Sequence, residues 1–192
     1  MSVFVPVVEG QGEGQAVPAL LHRLAADSGI QVRVNAPIRV KSGSFLNDAE
    51  YFNRYVALAA AKAAQAGGFV VILLDCEDDC PASLGPELLR RASAVRPGVK
   101  IGVFLAYREY ETWFIAAAKS LRGRSGLPTD LDAPADPELY RDAKGWFSER
   151  MPTPYDPIVH QLDFTRVFDL DQAVGNASFR RLRERIRQWL TP

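Results

Sequence analysis

The chain has 192 residues, 47% of them hydrophobic and 24% charged, which suits a globular protein with room for one domain. Lys plus Arg number 23 and Asp plus Glu 23, so the net charge is zero; this excludes a polycation that coats nucleic acid but allows a local basic groove. No apolar run reaches the ~18 residues of a membrane helix, and the opening MSVFVPVVEGQGEG lacks the basic region and cleavage site of a signal peptide. With Cys76 and Cys80 as the only cysteines, a cytoplasmic protein with no disulfide framework and no membrane partner is expected.

VFVPVV (3–8) reads as a short buried strand. QAVPALLHRLAADSG follows as a helix with Val17, Leu20, Leu21 and Leu24 at helical spacing, Pro18 in its first turn and Gly29 as its stop. QVRVNAPIRV alternates as a strand broken at Pro37. LNDAEYFNRYVALAAAKAAQAGG is the clearest helix, with Asn47 and Glu50 spaced as a capping box and Gly67-Gly68 ending it. FVVILLD is almost wholly apolar, as a strand covered by helices on both faces should be. SLGPELLRRASAV predicts a helix, VKIGVFLAY a further buried strand, and ETWFIAAAKSL another helix. Strands alternating with helices predict an α/β domain with a Rossmann-like, mainly parallel sheet. RGRSGLPTDLDAPADPE reads as a long surface loop, and the remainder as helical. One domain is therefore expected over 1–192, with its core in 1–120 and a loop and helical extension over 121–192.

Acids fall where the strands end. Glu9 closes the first strand, Asp75, Glu77, Asp78 and Asp79 the central one, and Glu109 and Glu111 follow the next. In an open parallel sheet the carboxyl ends of the strands form the ligand-binding edge, and grouped carboxylates there suit a hard divalent cation such as Mg²⁺. If the chain stays extended, Asp75 and Glu77 project to one side and Cys76 to the other, towards packing. Gly10, Gly12 and Gly14 allow a tight turn around Glu9 and Glu13, but GQGEG has neither the Walker nor the dinucleotide spacing.

These residues resemble the topoisomerase–primase (Toprim) superfamily, whose pattern is a Glu after the first strand and a D-x-D at the end of a later one. VVEGQGE carries the first element at Glu9, and LLDCEDD the second as Asp75 and Glu77, with Glu in place of the second Asp. Within it the chain is similar to a bacterial domain-of-unknown-function family of DUF4276 type. That likeness rests on the opening V-E-G-x-x-E, the D-x-[DE]-D-D-x-P stretch, the block AYREYETWFIA and a late S-F-x-x-L, Ser178 to Leu182. The resemblance covers most of residues 1–120. It implies Mg²⁺ or Mn²⁺ held by Asp75 and Glu77 with Asp79, and Glu9 as ligand or proton-transfer group. Glu13, Glu109 and Glu111 are accessory, and the reaction implied is phosphodiester cleavage of nuclease type on nucleic acid. On this reading Asp75→Ala and Glu77→Ala each abolish activity. The alternative is an inert binding or regulatory module that works with a partner ATPase in phage defence.

Each residue has a plainer reading. The 75–79 acids also suit a solvated turn before a helix, Glu9 a turn or cap, and Glu109 and Glu111 a charged helix start. Arg39 and Lys41 follow the second strand and could reach a substrate phosphate, or simply be exposed. Cys76 and Cys80 lack a second pair or a nearby His, so zinc is not expected; His160 is a candidate supporting residue. The arginines of SFRRLRERIRQWL line the face opposite Phe179, Leu182, Ile186 and Trp189, as a solvated helix face does.

Overall fold

The computed structural model describes residues 1–191. Its strands are β1 (Ser2–Val8), β2 (Val32–Val34), β3 (Ile38–Arg39), β4 (Phe69–Asp75) and β5 (Lys100–Ala106). Its α-helices are α1 (Gln11–Asp27), α2 (Ser42–Asn47), α3 (Ala49–Gln65), α4 (Pro81–Val95), α5 (Glu111–Ala116), α6 (Ala143–Ser148), α7 (Leu162–Val167), α8 (Leu170–Ala173) and α9 (Ala177–Leu190). The sheet runs β2-β1-β4-β5 with every pair parallel, and β3 continues along β1 beyond β2. The expected α/β class with a parallel, helix-flanked sheet is the one observed.

The chain leaves β1 for β2 on one side and returns through α3 to β4 on the other, so the strand order reverses between β1 and β4. That is the crevice where open α/β sheets bind ligands. Side-chain alternation sorts the core accordingly. Phe4, Val8, Val71 and Leu73 pack on the α1 face, whereas Val5, Val7, Val70, Ile72 and Leu74 pack on the α3 face. Cys76 is buried on the α3 face, as expected of an inward-facing residue. The C-terminal third is integral to this core: Phe147, Phe164, Phe168, Phe179 and Leu182 join the α1-side cluster, and Trp189 stacks on Phe69 at 4.9 Å.

Three local expectations need correction. Helix α1 starts at Gln11, which puts Pro18 in its interior rather than its first turn. The glycines that read as a turn are wound into helix, where a Cβ on Gly12 would sit 2.2 Å from Gln161 Oε1 and 2.8 Å from the Pro157 carbonyl. The cap of α3 is Asp48, not Asn47: its carboxylate accepts from the N–H groups of Glu50 and Tyr51, while Asn47 ends α2 and donates to the Gly43 carbonyl. The 122–138 loop is pinned from within, because Leu127 and Leu131 are buried and Arg122 Nε donates to the Leu131 carbonyl at 2.6 Å.

Two of the quoted motifs meet in space. Trp113 Nε1 donates to Ser178 Oγ at 2.8 Å and the Tyr107 N–H to the same oxygen at 3.3 Å, with Trp113 edge-on to Phe179. Asn176 caps α9 by accepting from the N–H groups of Ser178 and Phe179. The AYREYETWFIA block and the S-F-x-x-L segment thus clamp α5, and with it Glu111, against α9. On α9 the arginines are not uniformly solvated: Arg183 is part-buried and pairs with Asp27 at 2.9 Å and Asp171 at 2.7 Å.

Candidate functional site

Register decides which acids meet. Val8 pairs with Leu73, and Asp75 with Ala106, so Asp75 lies on the α1 face beside Val8, Leu73 and Ala106. Glu9, one residue past Val8, goes to the other face. Its Oε1 accepts a hydrogen bond from Ser42 Oγ at 2.5 Å, at the start of α2 on the α3 side. The two acids that the resemblance implies as partners therefore flank the switch point from opposite faces of the sheet.

Around Asp75 the α1 face gathers a different set. The Tyr110 N–H donates to Asp75 Oδ1 at 2.9 Å. Glu13, in the first turn of α1, folds back over Gly10, where the positive end of the helix favours its charge. Its Oε1 accepts from Gln161 Nε2 at 3.1 Å. Gln161 is fully buried and also donates to Glu111 Oε1 at 3.2 Å, and Tyr155 OH donates to the same oxygen at 3.1 Å. Glu111 has no exposed surface, and its Oε2 makes no hydrogen bond, although Lys144 Nζ stands at 3.4 Å. Lys144 Nζ also lies 3.3 Å from Glu109 Oε2, which accepts from the Lys144 main-chain N–H at 3.3 Å as well.

The electrostatics follow from this crowding. Burial, then the charges of Glu111 and Glu13, hold the Asp75 carboxyl well above the usual carboxylate range, against the pull of Lys144. Burial raises Glu111 to about 6, again opposed by Lys144. For Lys144, burial works to lower the pKa, but Glu111, Asp75 and Glu109 outweigh it and raise it. Tyr155 is pushed up by burial and by Glu111, so its hydroxyl stays a donor. These shifts tie Asp75 and Glu111 to the Lys144 ammonium.

The acids after Asp75 stand apart. The strand ends there, and Glu77 takes a left-handed backbone (φ 46) opposite Arg108 (φ 67), with which it forms an isolated antiparallel bridge. The extended-chain alternation that would aim Glu77 alongside Asp75 therefore does not hold, and Glu77 is exposed. Left-handed backbone at two non-glycine residues facing each other is strain of the kind found at ligand-binding edges. Asp78 pairs with Arg108 and with Arg141, the latter at 2.7 Å. Asp79 is exposed and lines a cavity of about 380 Å³ with Tyr107, Glu138, Ser178 and Arg181.

Arg39 pairs in register with Val8, which puts it on the Asp75 face, and its Cδ would lie 3.9 Å from a Cβ on Gly14. Lys41 is exposed at the start of α2, its main-chain N–H donating to Tyr51 OH. His160 stacks on Tyr155 at 5.4 Å, one ring removed from Glu111. The sequence reading missed Lys144, Gln161 and Tyr155. The available signals are slight: Lys144 has no acidic partner at helical spacing, and Gln161 ends a π-helical turn, Pro157–Gln161, a feature that recurs at functional sites.

The donor set suits a hard divalent ion. All four side chains offer carboxylate oxygens, one of them a buried oxygen with no hydrogen bond, and their mutual repulsion is only partly offset. Among the described residues no three His, Cys, Asp or Glu side chains are drawn together closely enough to hold an ion unaided. Mg²⁺ needs less than that, because it takes one or two carboxylates and completes its shell with water and substrate phosphate.

The family described as Domain of unknown function (DUF4276) matches residues 8–187 of the chain. That span contains every residue of the acid group. No curated protein and no solved structure matches the chain.

Proposed function

We propose that this chain, which belongs to the DUF4276 family, is a Toprim-like phosphodiesterase of nuclease type that depends on Mg²⁺ or Mn²⁺. One observation carries the reading. Asp75 stands at the carboxyl end of β4, at the switch point of a parallel sheet, near Glu13, Glu109 and Glu111, the last two paired with Lys144. Asp75 and Glu13 would hold the ion, which when bound polarises a phosphodiester and makes water a better nucleophile at neutral pH.

The chain's own groups supply the rest. Tyr110 orients Asp75 through its main-chain N–H, while Gln161 and Tyr155 fix Oε1 of Glu111. Asp75, favoured in its protonated form by its surroundings, gives up that proton as positive charge enters. Arg39, beside the first turn of α1, would meet a substrate phosphate. Glu9, held by Ser42 across the switch point, is the candidate for proton transfer to the leaving oxygen.

A second reading, an inert module beside a partner ATPase in phage defence, draws on the absence of three converged acids among the described residues and on the pairing of two with Lys144. Calorimetric titration of metal-free protein with Mg²⁺ and Mn²⁺, beside Asp75→Ala, separates the two readings when followed by incubation with labelled DNA and RNA. Binding and cleavage that are both lost in the variant support the enzyme. Metal binding without cleavage, or no binding even with substrate present, supports the inert module.

A further inference from the structure

The acid group is divided by what neutralises it. Lys144 pairs with Glu109 at 3.3 Å and Glu111 at 3.4 Å, and among the described residues no other cation pairs with either carboxylate. Asp75 and Glu13 accept from neutral donors, the Tyr110 N–H and Gln161 Nε2, and among the described residues neither forms an ion pair, although the Lys144 charge acts on Asp75 at longer range. Half of the group is therefore in direct ion pairs, and half is not.

The ammonium is held in place from two directions. Its residue sits in the first turn of α6, where Asp142 caps the helix by accepting from the Gly145 N–H at 2.7 Å. Its main-chain N–H and its Nζ both address Glu109 Oε2. Opposite it stands Glu111, fully buried, with an Oε2 that no hydrogen bond satisfies. A buried carboxylate without a cation is costly unless it takes up a proton, and Lys144 is the positive charge that stands beside that oxygen. A lysine ammonium is a compact point charge, the side chain that most nearly stands in for a small metal ion.

We infer that Lys144 is a tethered counter-ion filling a second cation position, between Glu109 and Glu111, so that the divalent ion of the proposed reaction enters alone at Asp75 and Glu13. The inference deepens the reading of this group as a cation site and rests on it. It makes the protein a one-metal variant of sites that elsewhere bring two ions within about 4 Å, with one charge built into the chain. Removal of divalent metal then leaves Glu109 and Glu111 with a cation between them, and the fold does not depend on the ion.

Lys144→Met tests this, since it keeps the length of the stem and deletes the charge. The probe is Mn²⁺ alone, added to metal-free protein and followed by calorimetric stoichiometry and by melting temperature. The expected result is that K144M binds one more Mn²⁺ per chain than the wild type. In chelator it melts roughly 10 °C lower, and Mn²⁺ restores most of that loss. The double variant Lys144→Met/Glu111→Gln, which removes both charges, is expected to fold in chelator and to show no extra ion.

Equal stoichiometry in K144M and wild type, or a melting temperature that Mn²⁺ does not raise, would overturn the inference and leave Lys144 a structural ion pair. So would a K144M protein that stays unfolded in millimolar Mn²⁺ while the double variant folds. Failure of the broader reading shows separately, as a wild-type titration without binding. An extra ion in K144M would still identify Lys144 as the counter-ion.

Discussion

Two groups of acids share the carboxyl edge of the sheet and differ in almost every physical respect. Asp75, Glu13, Glu109 and Glu111 lie on the α1 face and are linked by Gln161, Tyr155 and Lys144, and their crowding raises the Asp75 and Glu111 carboxyls. Glu77 and Asp79 lie in an exposed turn on left-handed or loop backbone, and Glu9 turns to Ser42 on the other face. In the sequence the second group is the more conspicuous, as CEDD beside an apolar strand. The first is assembled from three separate segments. The difference teaches that clustering along the chain is a poor guide to clustering of charge, because water neutralises neighbouring acids on a turn, whereas buried acids need partners.

The comparison can be broken most forcefully at Glu111. Glu111→Ala takes the acceptor from buried Tyr155 and one of two carboxylate partners from Lys144 and Gln161, and is expected to cost about 3–5 kcal/mol in urea-unfolding measurements at neutral pH. A loss below 1 kcal/mol would show that the buried group is not the structural keystone described. Next is activity: Asp75→Asn should lower divalent-dependent cleavage by at least about a hundredfold with the fold retained by circular dichroism, as expected for loss of a metal ligand. Glu77→Ala is expected to act far less strongly, contrary to the resemblance. Equal losses from both would mean that the turn closes onto Asp75 when substrate binds.

A smaller effect concerns pH. Glu111 titrates at about 6 in the folded protein against an ordinary 4.5, so between these values the folded state keeps a proton that the unfolded state releases. Its stabilising contribution is complete below the lower value and is lost as pH rises through the upper one, a change on the order of 2 kcal/mol. Scanning calorimetry of metal-free wild type against Glu111→Gln should therefore show the wild type losing ground as pH rises from 4.5 to beyond 6. Parallel curves would mean that Glu111 is not perturbed. The smallest effects belong to the exposed turn, where Asp79→Ala should stay within about 0.5 kcal/mol of wild type in the same unfolding assay.

Much of the fold is legible in the chain. FVVILLD is too apolar to be anything but a strand covered on both sides, and alternation with helical segments leads to a parallel sheet. Less legible is the start of α1, since GQGEG reads as a turn until Pro157 and Gln161 pack against Gly12. Asp48 rather than Asn47 caps α3 because a one-residue choice between two good caps depends on where α2 ends.

The site divides in the same way. By itself the sequence determined that carboxylates would reach the ligand-binding edge, because strand ends and acids coincide at Glu9, Asp75, Glu109 and Glu111. Which of them share a face was decided only by register. Asp75 aligns with Ala106 and Val8 with Leu73, a relation between strands that no single stretch of sequence contains. The cation that balances them was hidden further still. Lys144 is separated from Glu111 by the rest of α5 and the 122–138 loop, and only folding brings its ammonium to a buried carboxylate, where desolvation makes that one charge matter.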